Sequence, residues 1–231
     1  MPSYDLSRRL TAEALGTGFL VAAVVGSGIM AESLAGGNGA VALLCNTIPT
    51  GAVLFVLITI FIQISGAHFN PAVSFVMLLR GELDRGTAAA YIAAQIIGGC
   101  LGTIAAHLMF DVPTLQLSMH ARNGLPQWFA EFVATFGLLM TILGCARFRM
   151  DAMAPAVGLY ITAAYWFTAS TSFANPAVTI ARSLSDTYSG IAPGDVPAFL
   201  ASQLLGAAAA AGLMGWLLRP RGEAREQAPA T

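Results

Sequence analysis

The sequence predicts an all-α membrane protein: six transmembrane helices plus two re-entrant half-helices, arranged as an inverted 3+3 repeat. Three observations carry that prediction. Hydrophobic residues make up 56% of the 231 and charged residues only 10%, with a mean hydropathy of +0.71. From Ser33 to Leu79 there is no Asp, Glu, Lys or Arg, and a water-soluble chain of this length could not keep so much apolar surface from water. The tripeptide Asn-Pro-Ala occurs twice, at Asn70–Ala72 and Asn175–Ala177, each time between a Glu and a Gln that recur in the same order.

A helix needs about 20 apolar residues to cross about 30 Å of hydrocarbon. Six segments qualify, at 11–31, 41–64, 87–110, 127–146, 152–172 and 196–218. The first is expected to remain as a span, because the N-terminus M-P-S-Y-D-L-S-R-R-L has no cleavable signal pattern. It carries A-E-A-L-G-T (Ala12–Thr17), which matches A-E-F-V-A-T (Ala130–Thr135) in the fourth. The third carries Y-I-A-A-Q-I-I-G (Tyr91–Gly98), which matches F-L-A-S-Q-L-L-G (Phe199–Gly206) in the sixth. Both of these spans continue into Gly- and Ala-rich runs that let helices approach closely. Two further apolar pieces, 70–79 and 175–184, are too short to cross, and each opens on Asn-Pro-Ala. With three spans per half, the second half must enter the membrane inverted, which places the functional site at the midplane where the half-helices meet. The expected organisation is one integral domain: a first repeat at 1–110, a second at 111–218 and a cytoplasmic tail at 219–231. If the N-terminus is inside, nine Arg lie on the cytoplasmic side and only Arg122 and Arg182 outside. Both termini are therefore expected in the cytoplasm.

The net charge of −1 gives no reason to expect a nucleic-acid partner. Three scattered Cys, at 45, 100 and 145, all in apolar runs, are expected to be small buried residues. No metal-ligand spacing, nucleophile–base pair or soluble catalytic region is present, so neither an enzyme nor a cofactor is expected. An ion-coupled transporter can also be built from inverted repeats and broken helices. It would need titratable or ion-coordinating residues at the midplane, which these motifs do not supply.

Each residue of Asn-Pro-Ala has a physical reason to start a helix. Asn caps it by accepting a backbone N–H of the first turn. Pro suits the first helical position, where its missing N–H is not needed, and Ala propagates the helix best. Asn70 and Asn175 therefore cap two half-helices that meet N-terminus to N-terminus, with both side-chain NH₂ groups left as donors toward the passage. Non-helical backbone at that depth must be buried in protein or line a watery cavity. A hydroxylated neutral molecule can accept those donors, whereas a cation meets two partly positive helix ends.

The two Asn-Pro-Ala motifs in six spans, S-G-A-H-F-N-P-A-V (Ser65–Val73) and the paired Glu and Gln landmarks resemble the major intrinsic protein family, the aquaporins and aquaglyceroporins, over nearly the whole chain. The resemblance implies a homotetramer in the lipid bilayer with one pore per protomer. For this chain it also implies a bacterial inner membrane. Asn70, Pro71, Ala72, Asn175, Pro176 and Ala177 are then the central pore motifs. In the family an Arg follows the second motif as part of the outer constriction, and here that position is Val178. Ungapped counting back from Asn70 puts Thr50 at the second-span filter position, where water-selective members carry an aromatic residue. Ser172 is the loop residue of the filter, and the fifth-span residue is Ala163 by loop counting or Tyr165 by helix register. Arg182, one turn beyond Val178, could reach back to the mouth but is expected to extend to the outer surface.

The Val-for-Arg exchange resembles an arsenic-associated bacterial branch. It implies passage of water, polyols and neutral metalloid hydroxides such as arsenous acid, and of methylated arsenicals. A strict water channel is the alternative. Thr179 stands where glycerol facilitators carry an acidic residue, which argues against glycerol specialisation. Glu13 and Glu131, one per half, are expected to accept backbone N–H groups from the re-entrant loops; a proton relay would have no need of symmetric copies. His68, two residues before Asn70, could gate the cytoplasmic mouth but is expected to pack in its loop, and Gln95 and Gln203 to satisfy loop or interhelical hydrogen bonds. His107 and His120 read as packing or surface residues.

Overall fold

The computed structural model describes residues 4–219, so the expected tail lies outside the described residues beyond Arg219. Eight α-helices follow in order: α1 (Leu6–Leu34), α2 (Gly39–Ser65), α3 (Pro71–Leu79), α4 (Arg85–Met109), α5 (Leu125–Phe148), α6 (Met153–Phe167), α7 (Pro176–Arg182) and α8 (Val196–Leu217). Short polar residues start several of them. Asp5 accepts the backbone N–H of Arg8, Asn38 those of Ala40 and Val41, and Asp84 that of Thr87. Gly66, at φ 89°, ends α2 in the left-handed region that glycine adopts without strain.

Five helices, α1, α2, α4, α5 and the helical run ending at Leu217, are long and apolar enough to cross a membrane. The expected fifth span differs. A helix was expected over 152–172, but α6 stops at Phe167 after 15 residues, about 22 Å at 1.5 Å per residue. A 3₁₀ turn at Met150–Ala152 lengthens it at one end. At the other, Thr171, Ser172 and Ala174 have φ of 61°, 52° and 48°, outside any right-handed helix. The expected span runs too far because residues 168–172, T-A-S-T-S, carry no charge to mark the end of the helix, and most of this loop is buried in protein. The second half-helix likewise ends at Arg182 rather than at 184.

Helix α1 packs on α4 and α2, and α5 packs on α8 and α6 in the same pattern. The halves interlock through their short helices, with α7 against α4 and α3 against α8. Close approach rests on glycine. A Cβ on Gly98 or Gly102 would fall on the backbone of Ala14 or Gly18, and one on Gly206 would fall on that of Phe132. The polar groups Glu13, Asn46, Thr50, Gln95, Glu131 and Gln203 are buried, while Phe19, Leu101, Phe129, Leu159, Leu205 and Trp216 are exposed. This inversion of the soluble pattern is what a lipid-facing surface requires. The cysteines depart from expectation: Cys45 is exposed and Cys100 and Cys145 are half-buried, all free. Apolar surroundings here include the lipid-facing surface, which a sequence run does not distinguish from the core.

Substituting Gly102→Val should separate α1 from α4 and abolish the folded monodisperse peak in detergent size-exclusion chromatography. Gly212→Ala meets nothing within 4 Å. It should be neutral or stabilise by up to about 1 kcal/mol in a thermal unfolding assay.

Candidate functional site

The centre of the molecule is where α3 and α7 begin. Asn70 accepts the N–H of Ala72 at 2.8 Å, and Asn175 accepts those of Ala177 at 2.9 Å and Val178 at 3.3 Å. Each amide then crosses to the other loop. Asn70 Nδ2 donates to the Ala174 carbonyl at 2.7 Å, and Asn175 Nδ2 donates to the Phe69 carbonyl at 2.8 Å. The expectation of two outward donors per Asn is corrected here, since one N–H of each amide ties the loops together and one remains. Pro71 and Pro176 occupy the first helical positions, and Ala72 and Ala177 are sealed against protein.

A carboxylate holds each loop from behind. Glu13 Oε1 accepts from the His68 N–H at 3.0 Å and the Ser65 hydroxyl at 2.6 Å. Its Oε2 accepts from the Phe69 N–H at 2.7 Å and from Gln95 at 2.8 Å. Glu131 accepts from the N–H groups of Phe173 and Ala174, both at 2.9 Å, and from Gln203 at 2.6 Å. Each Gln donates onward, Gln95 to Ser74 Oγ at 3.0 Å and Gln203 to Thr179 Oγ1 at 2.9 Å. Hydrogen bonds to a charged group contribute about 1.5–3 kcal/mol each, which offsets the loss of hydration. Ser74 and Thr179 were not anticipated in this network. Thr179 faces Gln203 and not the cavity, and its hydroxyl also donates to the Asn175 carbonyl. His68 is bonded through Nδ1 to Ser74 Oγ at 3.0 Å and packs edge-on against Tyr91, while its loop lines the cavity. His107 is buried, bonded to the Thr114 carbonyl and Ser185 Oγ, and His120 is half-buried.

A single cavity of about 270 Å³ passes the two Asn residues. Glu82, Met150 and Met153 line one end, and Thr50, Tyr165, Ser172, Val178 and Arg182 the other. Leu20, Val24, Leu54, Ile58, Leu138 and Ile161 make its walls apolar. Of the two fifth-span candidates, Tyr165 lines the cavity with its hydroxyl 3.3 Å from Thr50 Oγ1, whereas Ala163 is exposed on the outside of α6. The buried Ser172 hydroxyl has no protein partner. Arg182 is the main correction. It does not extend to the outer surface but is 2% exposed, with its guanidinium carbon 3.4 Å from the Phe173 ring centroid and its Nε donating to the Ser189 carbonyl. Snorkelling lost because an aromatic face and a carbonyl are within reach inside. Neither partner adjoins Arg182 in sequence, so no local pattern announced them.

Residues 1–151 match the profile of the family described as "Major intrinsic protein". The chain belongs to that family. It is 59% identical over 232 aligned positions to aquaglyceroporin AqpS of Rhizobium meliloti (strain 1021), covering 100% of this chain and 99% of that one. It is 33% identical over 146 residues to nodulin-26 of Glycine max, spanning 62% of this chain and 53% of that protein. Its fold is that of the aquaglyceroporin from Plasmodium falciparum, with a TM-score of 0.71, 21% identity, and coverage of 97% of this chain and 100% of the other. As a major intrinsic protein it is an integral membrane channel for water and small solutes, not an enzyme.

Glu131→Gln replaces an acceptor with a donor facing buried N–H groups. It should destabilise the detergent-purified protein by about 1–3 kcal/mol, the penalty of one orphaned N–H, and Glu131→Ala should destabilise it further. Thermal unfolding followed by intrinsic tryptophan fluorescence measures both.

Proposed function

We propose that this channel is a passive facilitator broader than a strict water pore, carrying water, polyols and neutral metalloid hydroxides such as arsenous acid, with methylated arsenicals as its bulkier solutes. Ions and protons are refused. The observation that carries the reading is Val178, the residue directly after the second Asn-Pro-Ala. It lines the cavity with an isopropyl group where the family's constriction has a guanidinium. Thr50, Tyr165, Ser172 and Val178 form the selectivity filter. Two hydroxyls bonded to each other and one free hydroxyl offer polar contact, and Val178 adds a short apolar side chain to the same lining. A neutral solute with both hydroxyl and apolar faces suits such a lining. The relative from Rhizobium meliloti carries the name aquaglyceroporin, in keeping with solutes larger than water.

Asn70 and Asn175 act as the central contacts. Each has one N–H in the crossed bond, so a passing oxygen is offered the other. An ion stripped of water would lose several kcal/mol that apolar walls do not return, and the paired helix starts add an unfavourable potential for cations. Glu13, Glu131, Gln95, Gln203 and His68 support the loops and do not meet the solute as reactive groups. The chain sits in a bacterial inner membrane as a homotetramer, its two repeats at 1–110 and 111–218 inverted, with both termini cytoplasmic. The basic residues Arg9, Arg80, Arg85, Arg147 and Arg149 support that orientation. They occupy the helix ends and connections at one side of the bundle, and Arg122 and Arg182 lie at the other.

Proteoliposomes of the purified protein tested with water, glycerol, urea and arsenous acid should pass all four, with flux linear in the gradient and indifferent to a protonophore. Water alone would leave a strict water channel, and protonophore-sensitive flux would point to a transporter. Val178→Arg should slow glycerol and arsenous acid roughly tenfold more than water, about 1.4 kcal/mol of extra barrier. Equal loss of all solutes would overturn the assignment of Val178 to the filter.

A further inference from the structure

Position 178 holds no cation, yet a guanidinium lines the same cavity. On α7, residues four apart share a face, so Arg182 stands about 6 Å farther along the helix axis than Val178. Its orientation is fixed on two sides, by the Phe173 ring beneath the guanidinium and the Ser189 carbonyl at Nε. Both Nη atoms make no hydrogen bond to protein among the described residues. It is in no ion pair either: those among these residues are Arg8–Asp5, Arg80–Glu82 and Arg149–Asp151, all at the surface, and Glu131, which acts on it only through space, is bonded to Phe173, Ala174 and Gln203. A second guanidinium stands behind the same ring. Arg122 lies 5.0 Å from the Phe173 centroid, with its Nε donating to the Gly190 carbonyl at 2.7 Å and its backbone N–H to Asp195 at 2.7 Å. The Asp195 carboxylate is thus held on the Arg122 backbone and forms no ion pair with the guanidinium. Burial lowers the Arg122 pKa from its ordinary value, but an arginine so shifted still carries its charge at neutral pH.

We propose that Arg182, held by Phe173 and Ser189 and backed by Arg122, is the cation barrier of this pore, so that charge is refused one helical turn outside the ring that sets its width. The inference rests on the channel reading above and extends it. In the family's filter one Arg both narrows the constriction and repels cations. Here the two tasks fall to different residues. Val178 can therefore leave the passage wide while two guanidiniums outside any ion pair and an aromatic support keep the mouth positive. Desolvation makes the repulsion stronger than it would be in water.

The test is cation leak measured beside solute flux in proteoliposomes, using a potassium gradient clamped with valinomycin and a pH-sensitive dye. Arg182→Leu should raise proton leak at least about tenfold, out of proportion to any change in water permeability. Arg182→Gln, which keeps polar contacts for Ser189, serves if the Leu variant does not fold, and it should leak as well. Moving the charge inward with Val178→Arg plus Arg182→Leu should restore the cation block and slow glycerol. A folded Arg182→Gln protein as tight to cations as the wild type overturns the proposal, and so does a leak that rises only in step with glycerol and water. Because water flux alone suffices for the comparison, a wild type that rejects glycerol and arsenous acid would sink the solute assignment without touching this one.

Discussion

The structure depends on keeping two stretches of non-helical backbone at the centre of a bilayer, where water cannot satisfy them on every side. Residues 66–70 and 168–175 would each leave several buried N–H and C=O groups orphaned. Two carboxylates and two crossed amides prevent this. Glu13 and Glu131 take the N–H groups behind each loop, and the Asn70 and Asn175 amides take the carbonyls in front. The loops so held carry Ala67, Phe69, Thr171, Ser172 and Ala174 at φ of 50°, 49°, 61°, 52° and 48°. A left-handed residue other than glycine costs about 1–2 kcal/mol. Five such residues persist only because the surrounding hydrogen bonds leave the loops no other path.

That arrangement also decides what is left for a solute. Most buried polar groups of the core are occupied by one another, from Glu13 through Gln95 to Ser74 and from Glu131 through Gln203 to Thr179. Along the middle of the passage the polar groups are one N–H on each Asn, His68 and the Thr50, Tyr165 and Ser172 hydroxyls, with Glu82 at one end and Arg182 at the other. A solute therefore crosses an apolar tube with a few fixed contacts. Weak and sparse contacts allow fast release, whereas dense ones would turn the passage into a binding site.

Much of this was legible in the sequence. The repeated Glu, Asn-Pro-Ala and Gln landmarks led to the fold, because capping chemistry at Asn-Pro-Ala is local and needs only three residues. The carboxylate partners followed from symmetry. Length and apolarity located five spans well but overran the fifth, since the uncharged loop at 168–172 gives no charge to mark where the helix ends. The single spare N–H on each Asn was not legible, because the second bond joins residues more than a hundred positions apart. Arg182 was misread for a similar reason. Snorkelling is the default when a long side chain sees only lipid and water, and Phe173 and Ser189 come within reach only through the tertiary fold. Tyr165 came from helix register, while loop counting gave Ala163, which faces outward; the helix holds its period through a loop of unusual length, and counting through the loop does not.

The two copies of the motif can be laid on each other, and where they agree and differ separates support from selectivity. Val73 and Val178 stand three residues past each Asn, and both line the cavity. Ser74 and Thr179 stand four past and both receive the Gln amide. These matches sustain the fold and say nothing about direction. Seven past each Asn the copies part: Met77 lines one end of the cavity and Arg182 the other. Two positions before each Asn, His68 is matched by Phe173, the ring on which Arg182 lies. Since the inverted copies share so much of their scaffold, the Arg182–Phe173 pair is not something the fold requires of a half-helix. It belongs to one mouth only, and that is where a pore built from two like halves can set its charge preference without disturbing the scaffold that both halves share.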